Sequence, residues 1–452
     1  MPLLPRLTKM PRVVRALDLG RACDVSALAA SFEGSSIWRD GPRTWVLVEP
    51  REATAALDPL GGAAPTGAPP LKLPPETAAI VGEAPLLLGL LPYEAFRRSL
   101  ERPAWSAVDV RPAPLLEEHV WRRFDGAFAV EEGRSTWLVA EESAIERLRV
   151  AIPSNVARED APRALSISFA EPPEAHRARV RDVLEKIRDG ELYQVNLARR
   201  FELAYDARSR SDWVSLHAAL CQEFPAQFAF LAPFDGGVVV GASPELALSA
   251  EPTVDRTSFA SVLTSPIKGT RARGRTPAED LERRLELERD AKEIAELSMI
   301  VDVERNDVHR IAARGTVTAS PFRTEALRTV FHRVADVRGE VAPGTSRAQV
   351  LGALLPCGSV TGAPKVRAME VAASLEASRR GLYTGAVGVL TRSGRLRLAM
   401  AIRTMVFDRA GAGDYWVGGG IVADSDPERE LEETLWKSEQ LFRLVERTRG
   451  AR

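Results

Sequence analysis

One short stretch, Ser265-Pro266-Ile267-Lys268-Gly269-Thr270, constrains this chain more than any other. Pro266 fixes its own φ and drives Ser265 towards an extended conformation. Gly269 carries no Cβ, so the backbone there can lie close to a ligand. A lysine held on so rigid a turn is a candidate nucleophile wherever its surroundings keep the amine neutral. The alternative is a solvated lysine on a surface loop. What the rest of the chain builds around Lys268 decides between the two.

The chain has 452 residues, enough for a large core and two or three domain-sized units. Its 45% hydrophobic and 27% charged residues fit a globular protein. A formal net charge of −1 gives no global field for nucleic acid or an acidic membrane, and neither is expected as a partner. Cys23, Cys221 and Cys357 are far apart and form no CxxC pair, which predicts a reducing, cytoplasmic setting. Met1 to Gly20 lacks the continuous apolar core of a signal peptide. No apolar run reaches the roughly 18 residues that a membrane-spanning helix needs.

The pattern divides the chain into an N-terminal region, 1–165, and a second region, 166–452, joined around 153–165. In the first, Trp45 to Val48 reads as a strand ending at Pro50, and 59–75 reads as a Pro/Gly-rich loop. Leu86 to Leu91 reads as a buried strand, and Phe128–Val130 with Thr136–Val139 as a hairpin. In the second, Val180, Val183, Leu184 and Ile187 have helical spacing up to Gly190. Alternation then sets Tyr193, Val195 and Leu197 on one face of a strand, with Gln194 and Asn196 on the other. That amide face either lines a polar cavity or meets water. A strand at Val238 to Gly241 leads into Glu245, placing a carboxylate at a strand end.

Thr276-Pro277-Ala278-Glu279 predicts a capping box opening a charged helix. Within it Glu293 and Glu296 share a face, as do Glu430 and Glu433 on a later helix capped by Asp424 or Ser425. Four facing carboxylates repel one another unless a cation lies between them. An oxygen-only cluster suits Mg²⁺, whereas solvated helix faces would hold nothing. Between these helices, residues 356–365 place Gly358, Thr361 and Gly362 before a helix start, where carboxylates or phosphates are attracted. Arg403, in a run of small and apolar residues, needs a carboxylate partner from protein or substrate.

DGELYQVNLARRF (189–201), GASPELAL (241–248), PIKGT (266–270) and AKEIAELSMIVDVERND (291–307) resemble the chorismate-utilising enzymes. So do CGSVTGAPKVRAME (357–370), LYTGAVG (382–388), AIRTMV (401–406) and GGGIVADSDPERELEETLWK (418–437). That family includes anthranilate synthase component I, aminodeoxychorismate synthase component I, and the isochorismate and salicylate synthases. The resemblance spans roughly residues 170–446. It implies an α+β fold of four layers, α/β/β/α, with two mixed β-sheets packed face to face and helices outside.

The resemblance also implies roles. Isochorismate and salicylate synthases carry a water-activating lysine where this chain has Gln194, which is no base at neutral pH. Anthranilate synthases resemble PIAGT at the turn, and PIKGT resembles the aminodeoxychorismate synthases. Lys268 would then be the nucleophile and Glu245 the general acid, its carboxyl kept protonated by burial or nearby negative charge. Glu296 and Glu433 would bind Mg²⁺ directly, and Glu293 and Glu430 through water. Tyr383, Arg403, Gly419 and Lys437 would hold the enolpyruvyl carboxylate, with Gly269, Thr270, His332 and Thr361 completing the substrate wall. For His332 a hydrogen-bonded core role is the alternative. Cys357, Val308-His309 and Trp436 depart from the usual pattern. The expected activity is amination of chorismate at C4, with nitrogen from ammonia or a glutamine amidotransferase subunit. Anthranilate synthase component I or a secondary-metabolic chorismate aminase stays open as the alternative, as does a non-catalytic binder of chorismate.

Overall fold

Strand pairing explains how residues as distant in the chain as Pro85 and Thr391 meet. The computed structural model describes residues 14–56, 58–61, 63, 75–99, 111–152 and 162–450. Hydrogen-bonded strands run in one path from Val337–Glu340 through Phe259–Ser265, Leu246–Pro252, Leu396–Met400, Ala386–Thr391 and Pro85–Leu91 to Val120–Glu131. From Val120–Glu131 the path crosses to Arg43–Thr54. It continues through Ser36–Asp40, Phe228–Phe234, Gly237–Ser243, Thr404–Asp408 and Ala412–Ile421 to Gln194–Tyr205. Strands of the first 165 residues are thus built into the same sheet as the rest.

The two arms of this path fold onto each other. Leu88, Val387 and Ala399 from one arm share a buried cluster with Phe230, Val239 and Val406 from the other. Helices cover the outer faces. Arg210–Glu223 and Pro427–Gly450 bury Leu216, Leu220, Leu441 and Leu444 against Phe201, Val240 and Phe407. Ala291–His309 and Arg347–Leu354 bury Leu297, Val301 and Leu351 against Leu248 and Leu398. The expected α+β class, sheet on sheet with helices outside, is present. In detail the sheets are not mixed: every pairing among the described residues is antiparallel. Antiparallel neighbours need only short turns, whereas parallel ones need long crossovers.

A separate three-stranded sheet, Ile267–Ala272, Val330–Val334 and Arg323–Ala326, carries the lysine turn. It sits beside the helix Ala291–His309, so the turn is held by tertiary structure rather than by solvent.

Several boundaries differ from the sequence reading. The strand Arg43–Thr54 runs on through Pro50, because the register shifts there and Glu49 takes φ 55°. The charged helix breaks at Asp290 into Pro277–Arg289 and Ala291–His309, each with its own side-chain cap. Glu279 returns its bond to Arg275 N–H rather than to Thr276, leaving half a capping box. Asp426, not Asp424 or Ser425, accepts from the first N–H groups of Pro427–Gly450, since Ser425 is turned inward onto Glu430. Most of the 59–75 loop and of the 153–165 junction lies outside the described residues.

Candidate active site

The strand Gln194–Tyr205 begins one residue after Tyr193, which is exposed, and its first residues are all buried. The amide face therefore meets protein, not water. Its neighbour is the glycine run: Gly418, Gly419 and Gly420 pair with Ala198, Leu197 and Asn196. A Cβ on Gly420 would lie 2.2 Å from Gln194 Nε2 and 3.4 Å from Lys268 Nζ. A Cβ on Gly419 would lie 3.1 Å from Glu430 Oε2 and 3.5 Å from Glu433 Oε1. Glycine is required at 420 because the Gln194 amide fills the space a side chain would take, and at 419 Glu430 leaves little room.

Lys268 thus stands at the glycine run with Gln194 beside it. Gly269, at φ 88°, continues the turn, and a Cβ there would lie 3.2 Å from Glu293 Oε2. Thr270 Oγ1 and His332 Nδ1 are 2.9 Å apart. Burial pulls the His332 imidazole down to about 4, helped by the nearby Arg403 cation, so it is neutral at pH 7.

Glu245 sits between the strands Gly237–Ser243 and Leu246–Pro252, buried, and Ser359 Oγ donates to its Oε1 at 2.7 Å. Burial pushes this carboxyl up, against the pull of Ser359, Lys268 and Arg403. Arg403 lies in the break between Leu396–Met400 and Thr404–Asp408 at φ 50°. Among the described residues it forms no ion pair, so no protein carboxylate meets it at salt-bridge distance. Burial lowers its guanidinium, with Tyr415 and Glu245 opposing.

The two glutamate pairs belong to one neighbourhood. Burial raises the Glu430 carboxyl, as does the charge of Glu433, while Lys292 on the facing helix lowers it. Burial also works to raise Glu433, but Lys437, Lys268 and Lys292 together outweigh it and hold it low. Burial and Glu296 raise Glu293. Lysines and arginines balance these acids: Lys437 on Glu433 at 2.6 Å, Lys292 on Glu296 at 3.8 Å, Arg271 on Glu293 at 3.4 Å. Lys437 and Glu433 keep 44% and 39% of their side-chain surface open, yet protein crowds round them closely enough for burial to bear on both. That is the environment of a cleft.

Tyr383 is buried, stacked on Trp416 at 5.9 Å, and its hydroxyl lies near Gly418, whose carbonyl accepts from Lys437 Nζ at 2.9 Å. Thr361 is buried with its hydroxyl donated to Cys357 O at 2.9 Å, which fixes the turn it sits on. Four buried polar atoms of this region lack a protein partner: Gln194 Oε1, Asn196 Nδ2, His332 Nε2 and Glu430 Oε2. Buried polar groups are normally satisfied, so these four are open to a polar ligand.

The family model for chorismate binding enzyme matches residues 46–443. The chain belongs to the chorismate-binding enzymes. Among relatives, anthranilate synthase component 1 of Aquifex aeolicus is 40% identical over 271 residues, 59% of this chain and 52% of that protein. The Aeropyrum pernix anthranilate synthase component 1 is 40% identical over 274 residues, 59% of each chain. The chain thus spans little more than half the length of the curated relatives it matches. Among solved structures, anthranilate synthase component I from Streptococcus pneumoniae superposes with TM-score 0.69 and 25% identity, covering 96% of this chain and 93% of that one. The menaquinone-specific isochorismate synthase from Escherichia coli gives TM-score 0.71 at 18% identity over 97% and 96%, a likeness of fold.

As a chorismate-binding enzyme the chain offers hard oxygen donors for a metal, one of them the unpartnered Glu430 Oε2. Among the described residues no three acidic, histidine or cysteine side chains come together closely enough to hold an ion as they stand. The donor chemistry fits magnesium, and the lysines carry the neutralising charge in this arrangement. Sequence reading passed over Ser359, Lys292 and the buried Arg380. Ser359 was legible only as a small polar residue in CGSVTGAP, and Arg380 only as an arginine three residues before Tyr383.

Proposed function

We propose that this chain aminates chorismate, and that Lys268 directs the new nitrogen to C4. The observation that carries the reading is the amine of Lys268 beside Gln194, with both Glu245 and Glu433 within its electrostatic reach. An amide in place of a base disfavours water as the attacking group. The Lys268 Nζ lone pair would attack C2 of the ring, the ring double bond shifts, and the C4–O bond breaks. Glu245, whose acid form burial favours, gives its proton to the departing oxygen as water forms. Ammonia then attacks C4, the C2–N bond breaks, and Lys268 recovers its free amine while the new C4 ammonium returns a proton to the Glu245 carboxylate. Attack by Nζ needs the neutral amine, so the proton it sheds leaves to solvent through the open cleft.

Arg403, Tyr383, Lys437 and the backbone of Gly419 would hold the enolpyruvyl carboxylate, with Thr361 fixing the turn beside them. Gly269, Thr270 and neutral His332 would line the ring. Glu296 and Glu433 would hold Mg²⁺ directly and Glu293 and Glu430 through water. Held there, Mg²⁺ would supply positive charge to the ring carboxylate. Nitrogen would come from ammonia or a separate glutamine amidotransferase subunit, and the product, 4-amino-4-deoxychorismate, would serve 4-aminobenzoate formation.

A second reading, anthranilate synthase component I, is supported by the names of the relatives above. Chorismate, Mg²⁺ and an ammonium salt, with products separated by chromatography, test both. 4-Amino-4-deoxychorismate supports the first reading. Anthranilate with pyruvate supports the second and overturns the first. Isochorismate overturns both.

A further inference from the structure

Arg380 is buried to 1% of its side-chain surface, and each of its five N–H groups has an acceptor. Nε and Nη2 grip Glu376 at 2.9 and 2.7 Å. Nη2 also reaches Asn196 O at 2.6 Å, and Nη1 reaches Val360 O and Thr384 Oγ1, each at 3.2 Å. One guanidinium therefore ties three walls of the cleft. Asn196 belongs to the strand of Gln194, Val360 follows the Ser359 that bonds Glu245, and Thr384 follows Tyr383.

Thr384 is the strained member. It takes φ 61°, a region that a β-branched residue seldom occupies. Such a conformation persists only where its surroundings impose it. Here they are Arg380 on the hydroxyl, that hydroxyl donated to Tyr383 O at 2.6 Å, and Thr384 N–H donated to Ala401 O at 3.0 Å. The N-terminal region braces Arg380 from outside. Its guanidinium lies over the Tyr93 ring at 4.8 Å, and its backbone N–H donates to Glu94 Oε1 at 2.9 Å.

We propose that Arg380 is a positioning residue for turnover. It sets the Tyr383–Thr384 corner and the Ser359–Thr361 turn against the Gln194 strand, with Tyr93 and Glu94 as its outer brace. The proposal rests on the reading of the cleft as the chorismate site. Lysine keeps the charge but has three donors without the planar fork, so it cannot hold all three walls.

The experiment compares wild type, Arg380→Lys and Thr384→Gly. It measures kcat and KM for chorismate with saturating Mg²⁺ and ammonium, chorismate Kd by calorimetry, and the thermal midpoint. Thr384→Gly supplies a variant that folds, because glycine adopts φ 61° without strain. Arg380→Lys should raise KM and Kd about tenfold or more, the scale of a misplaced binding wall. Thr384→Gly should raise both by a smaller factor. A lowered midpoint with KM and Kd within twofold of wild type, in whichever variants fold, overturns the proposal and leaves Arg380 a structural residue. Wild type that neither binds nor turns over chorismate overturns the site reading instead, and the proposal with it.

Discussion

Ser359 donates its hydroxyl hydrogen to Glu245 Oε1 at 2.7 Å, and both side chains are buried. The bond favours the carboxylate while burial favours the acid, and burial is the larger effect. A general acid is active while protonated, so kcat should be present below the raised folded value and fall as pH rises through it. Ser359→Ala removes one stabiliser of the anion. Its basic limb should move up by about half a pH unit to one, the equivalent of one hydrogen bond. Glu245→Gln should lower kcat by ~10²–10⁴ and abolish that limb, with substrate Kd retained. Full pH–rate profiles of the three proteins check this.

Glu304 lies behind the same turn. Burial pushes its carboxyl from 4.5 up to about 7. The folded state then keeps a proton that the unfolded chain releases. That contribution to stability is full below pH 4.5 and is lost as pH rises through 7, at most roughly 3 kcal/mol for an isolated group. Glu304→Gln should flatten this decline. Denaturant unfolding at pH 5 and pH 8 measures it, and an unchanged difference between the two would assign the slope to other groups.

Gly420→Ala places a methyl group 2.2 Å from Gln194 Nε2 and 3.4 Å from Lys268 Nζ. The Gln194 side chain must swing away, within the cleft. Activity should fall more than tenfold, as misplacement near reacting atoms does, while stability changes by about 1 kcal/mol. Paired kinetics and unfolding curves separate the two.

Magnesium should be required. Chelation should abolish turnover, and added Mg²⁺ should restore it. Glu433→Gln and Glu296→Gln should each raise the Mg²⁺ concentration for half activity by at least tenfold, since each removes a charged donor. Titration of activity against Mg²⁺ checks this, and calorimetry of the metal alone provides a readout independent of turnover.

Much of the cleft was legible because its parts are written locally. Lys268 and Gly269 sit on a turn that Pro266 announces, Glu245 sits at a strand end, and the glutamate pairs follow helical spacing. The structure brings these side chains into one neighbourhood. What could not be read is what depends on distant partners. The strand at residue 50 continues because a bulge absorbs the proline. Tyr193 looked like part of an apolar face, but the strand starts after it and leaves it exposed. Arg380 gains its importance from Glu94, Asn196 and Val360, up to 286 residues away. No local pattern marks such a residue. The amide face of Gln194 and Asn196 was ambiguous until its burial was seen.

Peptide mapping by mass spectrometry, after chorismate and Mg²⁺ are supplied without ammonia, probes the amine of Lys268 itself. The peptide holding residue 268 should gain the mass of chorismate less one water, the gain should vanish on adding ammonium, and Lys268→Ala should show none. Steady turnover of chorismate with ammonium, accompanied by no adduct at Lys268 and undiminished in Lys268→Ala, would contradict the assignment of that lysine as the nucleophile.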